Sequence, residues 1–119
     1  MTQRTERVAG EIREILGAAL ARGGIKDPRV RDAGLITISH VRVSGDLRQA
    51  RVFFTVHGAE DAALDRVRLG LESAAGFLRR QLGEQLRLKA TPALAFEVDR
   101  VFEQEARIEA LLREVAKKE

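Results

Sequence analysis

The chain has 119 residues, 45% hydrophobic and 33% charged, with a formal net charge of +3. That is the length and composition of one globular domain rather than a disordered chain. It has no cysteine, which excludes disulfides and thiolate metal sites; its polar start, Met1-Thr2-Gln3-Arg4, and the lack of any apolar run near the ~20 residues of a membrane span lead us to expect a soluble cytoplasmic protein with no signal peptide.

Residues 4–21 predict an amphipathic helix, because Val8, Ile12, Ile15, Leu16, Ala19 and Leu20 recur at spacings of three and four. Gly23-Gly24 stops it. Ile25 to Val30 reads as a loop turned by Asp27-Pro28. Residues 35–43 are rich in β-branched side chains and read as a strand. Ile36 and Ile38 fall out of phase with Val41 and Val43, so a bulge near His40 is expected. Ser44-Gly45-Asp46-Leu47 supplies a turn, and Ala50, Val52, Phe54 and Val56 alternate along a second strand, making an antiparallel hairpin.

From Glu60 the period becomes helical, with a stripe of Leu64, Val67, Leu71, Ala74, Leu78 and Leu82. The run to about Leu86 is long for one helix, and Ser73-Ala74-Ala75-Gly76 marks a break, so two helices should meet near residues 73–76. After Thr91-Pro92, Leu94, Phe96 and Val98 alternate as a third strand. The helical crossover before it suits a parallel or non-neighbouring strand. A last helix carries Ile108, Leu111, Leu112 and Val115 and should fray from about residue 116. The fold class is therefore α+β, helix-strand-strand-helix-kink-helix-strand plus a C-terminal helix, around three strands in a single domain over residues 1–119.

Charge is unevenly placed. Over residues 22–31, Arg22, Lys26, Arg29 and Arg31 stand against Asp27 alone, and over residues 66–89, Arg66, Arg68, Arg79, Arg80, Arg87 and Lys89 face only Glu72 and Glu84. Such clusters are the footprint expected for a phosphate backbone. They equally suit a solvated surface, and a GC-rich genome alone would enrich arginine. Enzyme chemistry finds little support. His40 and His57 stand too far apart along the hairpin for a shared metal or dyad, no serine has a His–Asp pattern beside it, and no P-loop or dinucleotide fingerprint occurs. We expect no catalytic residue, no metal site and no cofactor.

Several stretches, taken in order, resemble the ribosome-binding factor A family. They are Arg7-Val8-Ala9, Lys26-Asp27-Pro28-Arg29, Ser44-Gly45-Asp46-Leu47 with Ala50-Arg51-Val52, Ala75-Gly76-Phe77-Leu78-Arg79, and Leu86-Arg87-Leu88 leading through Pro92-Ala93-Leu94-Ala95-Phe96 to Asp99. The resemblance covers roughly residues 4–112. It implies a type II KH-like domain in which an alanine-centred kink, here Ala74-Ala75-Gly76, replaces the Gly-x-x-Gly loop of typical KH domains. No two glycines here have that spacing. Ala93 departs from the glutamate usual after the proline, which puts any salt bridge from that position in doubt.

The resemblance further implies a monomer that binds 16S rRNA within the free 30S subunit or its late precursor. It implies help with late 16S processing, an association with cold adaptation, and release coupled to an assembly GTPase. The RNA-binding residues it suggests are Lys26, Arg29, Arg31, Arg66, Arg68, Ala74, Ala75, Gly76, Arg79, Arg80, Arg87 and Lys89. Two readings of the corner stay open. The small residues either admit a sugar–phosphate chain or merely let helices pack closely under solvated arginines. Leu78 and Leu82 fix the buried face, so Arg79 and Arg80 must point apart. A rival reading makes the chain a dimerisation module with the Leu64–Leu82 stripe as its seam.

Overall fold

A computed structural model describes residues 2–118. Helix α1 (Gln3–Arg22) is closed at its start by a reciprocal cap: the Thr2 hydroxyl accepts from the Thr5 amide, and the Thr5 hydroxyl accepts from the Thr2 amide. Gly23 and Gly24 end it in the positive-φ region, at 79° and 102°, where a side chain would be strained. Val8, Ile12, Leu16 and Ala19 form its buried face, which lies on the first strand.

The segment expected as a plain loop holds one helical turn, α2 (Pro28–Arg31). The Asp27 carboxylate accepts from the Arg29 amide at 2.9 Å, and Pro28 supplies a preset φ at the first helical position. Four residues are too few for any apolar period to declare them.

Strands β1 (Ile36–Val43) and β2 (Gln49–Val56) pair antiparallel, and the register slips between Ile38 and His40. The extra residue, Ser39, restores Val41 and Val43 to the buried face, as the phase change in the sequence requires. Strand β3 (Ala93–Val98) runs parallel to β2 on its other side, giving the order β1-β2-β3. Helices α3 (Asp61–Ser73) and α4 (Ala75–Gln85) form the crossover. Leu64, Val67, Leu71, Leu78 and Leu82 are all buried in the chain's own core with Phe54 and Phe96. The stripe offered as a dimer seam is therefore already occupied.

The last helix, α5 (Arg100–Lys118), follows β3 after one residue and keeps helical geometry through Lys118. The Asp99 carboxylate holds its first turn by accepting from the Phe102 amide at 3.1 Å and from the Ser39 hydroxyl at 2.7 Å. Arg107 ties it to Asp61 on α3 at 2.6 Å. Ile108, Leu111, Leu112 and Val115 are at least half exposed, so this apolar stripe points to solvent rather than into the core. No helix is long and apolar enough to cross a membrane among the described residues.

Candidate nucleic-acid interface

The corner between α3 and α4 rests on one residue. Ala74, at φ −90° and ψ 3°, leaves the helical path; its amide is shared between the Gly70 and Leu71 carbonyls, both at 3.1 Å. Its own carbonyl starts the next helix by accepting from the Leu78 amide at 3.0 Å. No side chain caps the start of α4. The amides of its first turn are thus free to serve an anion, with the positive end of the helix dipole behind them.

The small residues near this corner do three different things. Gly70 is a packing glycine: a Cβ there would meet Val30 Cγ2 at 2.8 Å and Arg29 Cβ at 2.9 Å, so α3 touches α2 nearly backbone to side chain. Ala74 and Ala75 are half-buried against the core. Gly76 is exposed, and a Cβ built on it meets nothing within 4 Å. Close helix packing accounts for Gly70 and the alanines but not for Gly76.

Two segments far apart in the chain meet here. The Arg29 guanidinium donates to the Ser73 hydroxyl at 3.0 Å, linking α2 to the end of α3. The Phe77 ring lies beneath Gly24, where a Cβ would be 3.6 Å from its Cζ, so the loop carrying Lys26 abuts the first turn of α4. Arg66 lines the same side of α3 as Arg29 and Pro28. Four residues beyond Gly76, Arg80 lies one helical turn along the same exposed face, opposite the buried Leu78 and Leu82.

Arg29, Arg66 and the Ala74-Ala75-Gly76 corner with Arg80 thus run along the α2–α3–α4 side of the fold, and Lys26 lies in the loop that adjoins it at Gly24. The remaining predicted residues do not join it. Arg79 points off that face and donates twice to the Thr91 carbonyl, at 2.8 and 3.2 Å. Arg68 lies about 200° around α3 from Arg66. Arg87 stands beside Arg4, Arg7 and Glu11 on the flank of α1, and Lys89 is in the loop beyond α4, a helix about 16 Å long. Arg31 pairs with its neighbour Asp32 at 3.1 Å and lines a cleft of about 630 Å³ between the end of α1 and the start of β1. Lys26 lines that cleft too.

Electrostatics sort the cluster further. Asp27 and Arg29 form a multiply bonded pair, at 2.7 Å for the shortest contact. Hydrogen bonds from the Arg29 side chain, then its amide, pull the Asp27 carboxyl down to about 2. The same pairing raises the Arg29 guanidinium above its ordinary value. Asp32 is likewise lowered by Arg31. Among the described residues, no carboxylate lies within ion-pairing distance of Lys26, Arg66 or Arg80, which leaves their charge uncommitted. Sequence reasoning missed Ser73 as the tie between the two basic segments; its place directly before Ala74-Ala75-Gly76 was the available signal.

The model of the family described as ribosome-binding factor A matches residues 4–112. The chain belongs to the ribosome-binding factor A family. The ribosome-binding factor A of Geobacter sulfurreducens is 45% identical over 115 residues, spanning 97% of this chain and 93% of that protein. The crystal structure of ribosome-binding factor A from Thermus thermophilus shares the fold, with a TM-score of 0.66 at 21% identity over 79% of this chain and 93% of that one. A homology model of the Thermus thermophilus factor, fitted into a cryo-electron microscopy map of its complex with 30S, aligns with a TM-score of 0.59 at 25% identity over 77% of this chain and 91% of that one. The expected family and the α+β KH-like order both hold, with the α2 turn added.

Proposed function

We propose that the chain is a non-enzymatic assembly factor that binds the 30S ribosomal subunit or its late precursor in the cytoplasm and assists late 16S rRNA maturation. It works as one domain and as a monomer, and an assembly GTPase acting on the same particle governs its release. What supports 30S binding is family membership together with the 30S complex of the Thermus relative.

The α3–α4 corner contacts rRNA in this reading. The observation that carries it is Gly76: exposed, without a packing role, one turn from an unpaired arginine and beside uncapped helix amides. A phosphate chain running past Gly76 would be held by those amides, by Arg80 and by Lys26 and Arg66 at the flank. These are contacts to backbone and shape, which position the factor without reading sequence. Arg29 orders the corner through Ser73 more than it offers free charge, because Asp27 neutralises it. Arg31, Arg68, Arg79, Arg87 and Lys89 contribute through the general positive field.

The experiment is co-sedimentation with purified 30S subunits of the wild type and of a Lys26→Glu, Arg66→Glu, Arg80→Glu variant. Loss of association by a folded triple variant is expected. Undiminished association rejects the corner as the contact.

A further inference from the structure

We infer that the open half of the sheet's outer face, around His40, Arg42, Arg51 and Phe53, is a second RNA-contact site that takes an unpaired nucleotide, stacking its base and binding its phosphate. This inference rests on the reading of the chain as an rRNA-binding factor and adds a surface on the side of the sheet away from α1, α3 and α4, beyond the part that α5 flanks.

Strict alternation from Ile36 and Ile38 would turn His40 toward the core. The bulge at Ser39 turns it out instead, directly opposite Phe53. The Ser39 hydroxyl fixes that bulge between the Phe53 carbonyl at 3.3 Å and the Asp99 carboxylate at 2.7 Å. The His40 and Phe53 rings then stand 5.8 Å apart, tilted by 36°, and the Arg51 guanidinium lies 5.8 Å from the Phe53 centroid. A flat ring kept only half-buried on an open sheet face is a place for a base to stack.

Charge points the same way. Arg42 and Arg51 are cross-strand partners in the register, and like charges directly opposed weaken a sheet. Arg51 is answered by Glu97 at 2.6 Å. Arg42 has no ion-pair partner among the described residues. On the β3 side, the exposed Ala95 lies beside Arg51 and leaves the sheet open there, while Glu97 lies beside Phe53. The unpaired Arg42 beside a half-buried ring is complementary to a single-stranded polyanion with stacked bases, and not to an apolar or basic protein surface.

The test is an NMR titration of the full chain with the single-stranded hexanucleotide rA6. Saturable shifts at the amides of His40, Arg42, Arg51 and Phe53 are expected, with affinity falling about tenfold or more in Phe53→Leu, the scale of one lost base stack. Arg42→Glu should also weaken binding, and because it disturbs no packed side chain it answers for any folding defect in the first variant. Shifts confined to α3 and α4, or unchanged affinity in both variants, overturn the inference. On 30S particles, a photocrosslinker at residue 40 should mark 16S rRNA; crosslinks only to ribosomal protein also overturn it. The hexanucleotide titration reads this face without 30S. A failure there is therefore distinct from undiminished 30S association of the corner variant, which would strike the proposed function instead.

Discussion

The Arg29 guanidinium reaches the Ser73 hydroxyl at 3.0 Å, across 44 residues of sequence, and so fastens the basic turn α2 to the helical corner. The rest of the interface follows from that tie. It brings Asp27–Arg29 against α3, allows the close contact at Gly70, and leaves Gly76 and Arg80 as the free edge.

Gly76→Ala separates folding from binding. Helical glycine costs roughly 0.5–1 kcal/mol relative to alanine, and the added methyl meets nothing. Thermal or urea unfolding should show a variant as stable as the wild type or slightly more so. Its 30S affinity should fall, because the methyl occupies the space the phosphate chain needs. A destabilised variant with full affinity would mean that Gly76 serves packing after all.

Gly70→Ala should behave in the opposite way. The helix-propensity gain is offset by overpacking against Val30 and Arg29, which costs about 1–3 kcal/mol in a well-packed site. Urea denaturation should show a net loss of stability. A neutral result would mean that α2 moves aside freely.

Asp99→Ala removes the cap that starts α5 and the partner of the Ser39 hydroxyl. The expected cost is about 1–2 kcal/mol. Hydrogen exchange should report it as faster exchange over the first turn of α5, with the β1–β2 pairing beyond the bulge little changed. Unchanged protection of that turn would contradict the assignment.

Acid should expose the Asp27–Arg29 pair. The Asp27 carboxyl titrates at about 2 in the folded chain against an ordinary 3.8, so the native state favours its ionised form. The pair's support for α2 is complete above pH 3.8 and is lost as pH falls through 2. Carboxyl carbon NMR should find a midpoint near 2 in the wild type. Arg29→Ala should move it part of the way back to 3.8, because the residue 29 amide still donates. A wild-type midpoint near 3.8 would dissolve the pair.

The elements were legible in the sequence because each buries an apolar face with its own period. The stripe from Leu64 to Leu82 and the alternations through Val52, Phe54 and Phe96 determine which side goes inward. Even the bulge was readable, since Ile38 and Val41 could not otherwise face the same core. The single turn α2 was not, being shorter than any period. Rotation about α4 separates Arg79 from Arg80, but only the fold shows Arg79 spent on the Thr91 carbonyl, because a loop carbonyl leaves no trace in residue type. Periodicity likewise reveals that α5 has an apolar face, not that Ile108, Leu111 and Leu112 are left uncovered.

The most direct test places a probe at the corner itself. The chain has no cysteine, so Ser73→Cys gives one clean attachment point for a tethered iron chelate, and hydroxyl radicals released from it on the 30S particle cut only nearby RNA. Localised cleavage of 16S rRNA from position 73 is the expected result. A tethered variant that still co-sediments with 30S yet leaves 16S rRNA uncut would contradict the account.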